Sequence, residues 1–169
     1  MVGRRDWVAI EMSIPEIASA QAEARRRDQA AIRAGARPRG SPEGTRRAHM
    51  LGLLGEDAVA KYFGLPPVRD SWHDDHRRGW DVGGISVRTR SQSHYGLLLR
   101  SHERTGNHVL ALAHEEPHTI YLAGWIRAED AWRHAVPGHG GGGGAWWIVD
   151  QEHLIPLPPV IRAQSDAAA

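Results

Sequence analysis

Apolar residues recur at helical spacing in two stretches near the start of the chain and at strand spacing in five stretches further on. Between Thr45 and Phe63, Met50, Leu51, Leu54, Ala58 and Tyr62 fall on one stripe, which predicts an amphipathic helix ending at Gly64, ahead of Pro66-Pro67. A first helix is predicted from Ser13 to Ala34. Ser13-Ile-Pro-Glu16 has the capping-box form, and Gly35 is the stop. Its apolar stripe is thin (Ile17, Ala20, Ala24, Ala31), so it is expected to pack weakly on the domain or to carry a dimer or nucleic-acid contact. Trp7 to Ile10 reads either as a short strand or as a packed turn.

Strand signals follow. Trp80 to Arg90, WDVGGISVRTR, predicts two short strands joined at Gly83-Gly84, with Asp81 on the first and Ser86, Val87 and Arg88 on the second. Alternation places Ser86, Arg88 and Arg90 on one face and Ile85, Val87 and Thr89 on the other. Gly96 to Arg100, His108 to Ala113, Thr119 to Ile126 and Ala145 to Val149 read as further strands, and Arg127 to His134 as a short helix. Gln151 to Leu154 reads as a turn of helix, residues 138–144 as a flexible glycine loop and the tail as frayed. These elements predict an α/β fold: a mixed central sheet flanked by helices, with an extra N-terminal helix. The expected organisation is 1–44 as helix and basic linker, 45–160 as the α/β domain and 161–169 as a disordered tail.

Composition narrows the classes. The 169 residues suffice for one domain with a real core. The absence of cysteine excludes a disulfide scaffold, cysteine zinc sites and thiol catalysis, and fits a reducing cytoplasm. No apolar run is long enough to span a bilayer, and the start lacks a signal-peptide core, so a soluble cytoplasmic protein without membrane contact is expected. The net charge of +1 hides an asymmetry: residues 1–100 carry +5 and residues 101–169 carry −4. A basic half suits a phosphate-bearing partner. Lys61 is the only lysine, and arginine forks phosphate well.

One residue breaks the pattern of the second helix. Glu56 has Gly52, Leu53, Val59 and Ala60 three and four positions away, so its carboxylate sits at the rim of the core or points into a cleft. Gly52 and Gly55 remove side chains beside it and permit a close approach. The loop at 65–79 holds His73-x-x-His76 and Asp74-Asp75, metal-ligand types without a fixed geometry, and contact with substrate is the preferred reading. His114-Glu-Glu-Pro-His118 matches the zinc-protease spelling H-E-x-x-H. Its chemistry needs both imidazoles on one helical face, and Pro117 breaks a helix there, so a turn is predicted.

A helix acid, Glu56, a strand acid, Asp81, and a next strand with x-V-R-T-R follow one another in order. GEDAVAKYFGL (55–65) and DVGGISVRTR (81–90), with looser matches at 121–131 and 145–154, resemble the PD-(D/E)xK nuclease superfamily of restriction-endonuclease-like fold, in particular its small phage and prophage-type members. The resemblance implies a DNA phosphodiesterase using Mg²⁺ or Mn²⁺. Asp81, Glu56 and the carbonyl of Val87 would hold the metal, with Glu56, Asp81 and Arg88 catalytic and Arg88 on the scissile phosphate. Arg46, Arg47 and Arg90 would position the nucleic-acid backbone, and a homodimer is left open. Ser86 stands where the family has a carboxylate or amide, and Arg88 where it has lysine. A neutral serine is a weak ligand for a hard cation, and arginine does not act as a base. The implied alternative is a catalytically degenerate module that binds nucleic acid or a protein partner in a phage–host conflict.

Overall fold

The computed structural model describes residues 6–35, 42–67, 81–113, 118–138 and 146–158. Strand β1 (Val8–Glu11) leads into helix α1 (Ile14–Arg33). The capping box is formed at its start: the Ser13 amide donates to Glu16 Oε2 at 2.6 Å, and the Glu16 amide to Ser13 Oγ at 3.4 Å. Helix α2 (Pro42–Phe63) begins three residues earlier than its apolar stripe suggests, with proline in the first turn, where its missing N–H costs nothing. Gly35 (φ 75°) and Gly64 (φ 66°) take the left-handed conformation after the two helices.

The central sheet is four-stranded, in the order β1–β5–β4–β2, built with β2 (Ile85–Arg90), β4 (Asn107–Ala113) and β5 (Thr119–Arg127). β2 runs parallel to β4, and the other pairs are antiparallel, so the sheet is mixed and the α/β expectation holds. The expected hairpin at 80–90 is reduced to a tight turn. Gly83 (φ 52°) and Gly84 (φ 84°) make the turn, Val82 bridges Ile85, and Asp81 lies in a bend rather than on a strand. The long partner of β2 is β4, about 20 residues further along, which leaves β2 at the sheet edge among the described residues.

Alternation divides β4 cleanly. Val109, Ala111 and Ala113 join Ile10, Met12, Val87, Ile120 and Leu122 against α1 and α2, where Ile17, Ala20, Ala24, Leu53, Leu54, Ala58 and Val59 complete one core. Leu110 and Leu112 face the other way, with Ala123 and Ile126. That face is covered by a second, antiparallel sheet, β3–β7–β6, formed by β3 (Leu97–Arg100), β6 (Val136–Gly138) and β7 (Trp146–Val149), together with helix α3 (Ala128–His134). The molecule therefore has α1 and α2 on one side of its main sheet and the small sheet with α3 on the other. Among the described residues no helix is long and apolar enough to cross a membrane.

Candidate functional site

Local geometry explains why Asp81 meets β2. Ile85 turns its amide and carbonyl to the glycine turn: its N–H donates to Val82 O (2.8 Å), and its carbonyl accepts from the amides of Asp81 and Val82 (both 3.0 Å). Two residues on, Val87 presents its own polar groups to the same side of β2. Its N–H donates to Asp81 Oδ2 at 2.7 Å. Its carbonyl accepts from Arg88 Nη1 at 2.9 Å, and the same Nη1 reaches Asp81 Oδ2 at 3.3 Å.

Arg88 is mostly buried, with 18% of its side chain exposed. Its Nη2 is in close contact with Glu103 Oε1. Glu103 is itself buried and held in place: its Oε2 accepts from the Arg100 amide (2.7 Å) and its carbonyl from Trp132 Nε1 (2.6 Å). Burial pulls the Arg88 pKa down. Asp81 raises it, Arg100 lowers it and Glu56 raises it again. The guanidinium thus sits at the centre of a charge cluster, bonded to Asp81 and Glu103 and within electrostatic reach of Glu56. Its Nε is buried with no partner among the described residues.

Glu56 reaches this cluster because α2 lies close on the sheet. A Cβ on Gly55 would stand 1.9 Å from Thr89 Oγ1 and 3.2 Å from Ala111 Cβ. The close approach that Gly55 permits is therefore that of β2 and β4 themselves. Gly52 faces open space. On its other side Glu56 lies 3.9 Å from Arg27 Nη1 of α1, and Arg27 also donates to the buried Glu23 at 2.9 Å. Burial pushes the Glu23 carboxyl up, but Arg26 and Arg27 outweigh it and hold it below the usual range.

His108 lies opposite Ser86 in the parallel register, on the face that carries Arg88. It is fully buried, and neither ring nitrogen has a partner among the described residues. Burial first, and the Arg88 charge second, lower its pKa to about 4, so it is neutral at pH 7. Ser86 is buried beside it.

The remaining expected residues go elsewhere. Arg90 places its guanidinium 4.4 Å from the centre of the Tyr95 ring, and burial lowers its pKa. Arg46 and Arg47 are exposed near the start of α2 and line a groove against α1, with Arg46 3.7 Å from Asp28. His73, Asp74, Asp75, His76 and the H-E-x-x-H spelling at 114–118 lie outside the described residues except for His118. Sequence reasoning missed Glu103. It sits in a polar loop, and no period marks one loop acid as buried.

The donor set can be tested against a divalent ion. Two of the oxygens implied for Mg²⁺, Asp81 Oδ2 and Val87 O, both carry Nη1 of Arg88. Among the described residues no three His, Asp or Glu form a group able to hold a metal ion. As arranged, these residues suit a monovalent guanidinium rather than a metal.

No family model matches the chain, and no curated protein or solved structure matches it significantly. Fold and site together define an α/β protein with a buried arginine held by acids at the edge strand of a mixed sheet.

Proposed function

We infer that this protein is a nuclease-like module that binds DNA without cutting it, with Arg88 taking the place that a divalent ion has in the related enzymes. The carrying observation is the position of Nη1, on both Asp81 Oδ2 and Val87 O. The resemblance at 55–65 and 81–90 supplies the nucleic-acid partner, and the basic character of residues 1–100 supports it. A built-in cation satisfies the acids that a metal would otherwise neutralise. It does not lower the pKa of a bound water, which is the contribution that hydrolysis draws from the metal. A cytoplasmic setting belongs to the same proposal, and the cysteine-free sequence is compatible with it.

The test is binding of labelled duplex DNA at several salt concentrations, with and without a chelator, alongside a nicking assay in Mg²⁺ and Mn²⁺. Salt-sensitive binding that ignores the chelator, with no nicking, is the expected result. A second reading, a metal-dependent deoxyribonuclease, is favoured by Glu103, which keeps Arg88 paired if its contact with Asp81 is given up. Mn²⁺-dependent nicking that vanishes in Asp81→Ala would establish that reading and overturn the first. Absence of DNA binding in both metals and chelator would overturn both.

A further inference from the structure

The helix pair α1–α2 encloses an open groove of about 230 Å³, lined by Gln21, Ala24 and Arg25 of α1 and by Arg46, Arg47 and Met50 of α2. Ala24 is buried at its floor, Met50 is half-buried, and all three arginines are exposed. Their neighbours on α1 are already committed. Arg26 forks Glu23 at 2.7 and 2.8 Å, and Arg27 bonds the same carboxylate. Asp28 is shared between His49, which contacts its Oδ1, and Arg46, which is 3.7 Å from its Oδ2. Neither Arg25 nor Arg47 has an ion-pair partner among the described residues.

Three exposed arginines line the groove, only Arg46 has an acid partner among the described residues, Asp28, and Gln21 adds an amide donor. This is the chemistry that grips a phosphodiester chain: forked donors, fixed positive charge and no base-reading geometry. We propose that the α1–α2 groove is the contact for the DNA backbone, with Arg25, Arg46 and Arg47 each neutralising phosphate. The proposal rests on the DNA-binding reading above and gives that reading its surface, since Arg88 is itself mostly buried and already paired with acids. Nine residues separate Arg47 from Glu56 along α2. At about 1.5 Å per residue Arg47 lies roughly 13 Å along the helix from Glu56, or about four nucleotides of one strand.

The experiment is fluorescence anisotropy of a labelled DNA duplex, read as log affinity against log salt between about 50 and 200 mM. The variants are Arg25→Gln/Arg47→Gln, Arg25→Lys/Arg47→Lys and, as a control on α3, Arg133→Gln. Arg133 is exposed and paired with Asp130. Loss of two phosphate contacts should flatten the salt slope by about two units and weaken binding at least tenfold at the low-salt end. The lysine pair should keep the slope, and the control should match wild type. All the substituted side chains are exposed, so melting temperatures should be unchanged. Wild-type binding with an unaltered slope in the glutamine pair would overturn the groove and leave the DNA-binding reading standing. No binding by wild type would overturn both.

Discussion

Gly52 and Gly55 stand almost one turn apart on the same helix, and substitution by alanine should move stability in opposite directions. In a helix interior the exchange gains about 0.8–1 kcal/mol from propensity alone. At Gly52 nothing lies within 4 Å of the added methyl, so Gly52→Ala should realise most of that gain. At Gly55 the methyl would meet Thr89 Oγ1 at 1.9 Å, Thr89 Cβ at 3.1 Å and Ala111 Cβ at 3.2 Å. Two of these atoms belong to a side chain short enough that it cannot swing clear, and the third is a Cβ fixed to β4. Overpacking of this kind costs about 1–3 kcal/mol, and more when backbone must move. Gly55→Ala should therefore be about 1–2 kcal/mol less stable than wild type after the propensity gain, a split of roughly 2–3 kcal/mol between the two variants. For a chain of this size that is about 4–12 °C in melting temperature. Urea titration is the assay, with an unchanged m value as the check that only stability moved. Thr89→Ala supplies the internal control. The hydroxyl it removes is buried without a partner among the described residues, so the single change should be mild and Gly55→Ala/Thr89→Ala should recover part of the loss. Equal stability of the two glycine variants, or strict additivity with Thr89→Ala, would refute the close packing that brings Glu56 to Arg88.

Three further outcomes follow from the same geometry. Glu103→Ala removes one of the two acids bonded to the mostly buried Arg88 and should cost about 3–5 kcal/mol by urea titration; adding Arg88→Met should restore part of it, because an apolar pair does not strand a charge. His108 holds its folded pKa near 4 against 6.5 when unfolded, so the unfolded state binds more protons between those values and stability should fall as pH drops from 6.5 towards 4. The gap is worth roughly 3 kcal/mol at 1.36 per unit, and His108→Leu should flatten that stretch of the pH–stability curve. Glu23 behaves as an ordinary paired carboxylate: its stabilisation is present above about 4.5 and lost as pH falls through its lower folded value, so Glu23→Gln should remove pH dependence only in that more acidic window.

Local features were legible in the sequence to the extent that local chemistry decides them. The Ser13–Glu16 box, the helix ends at Gly35 and Gly64 and the alternation of β2 all follow from residues within a few positions of one another. Val87 does face the helices, while Ser86 is paired in register with His108 on the opposite face. What escaped was non-local. The turn at Gly83-Gly84 predicts a hairpin, yet β2 finds its partner in β4, because β4 is buried on both faces and only a strand with a matching apolar side, Val87, can extend the helix-facing core. β6 is three residues long and contains proline, and it becomes a strand only because Trp146 to Ile148 lie beside it. Gly55 illustrates the limit best. A missing side chain next to an acid reads equally as room for a ligand and as room for a strand, and the choice depends on how deep Thr89 sits.

The same reasoning bears on the character of the cluster. An arginine on a buried strand face has to be neutralised where it lands, since an unpaired charge at that depth costs several kcal/mol. Asp81 alone does this incompletely: its Oδ2 is shared with the Val87 amide, and the Arg88 contact is the longer of the two, 3.3 Å against 2.7 Å. The second acid comes from the loop after β3, fixed by the Arg100 amide and by Trp132 from α3 before Arg88 is counted. Glu103 is therefore pre-positioned by the small sheet side of the molecule, whereas Asp81 and Glu56 belong to the helix-and-turn side, and Arg88 ties the two together. An ion that displaced Nη1 from Asp81 would have to work against a guanidinium anchored at its other end. For that reason the proposed reading expects no Mn²⁺ binding by the wild-type protein in titration calorimetry, and wild-type binding that tightens in Arg88→Ala would show instead that ion and guanidinium compete for Asp81.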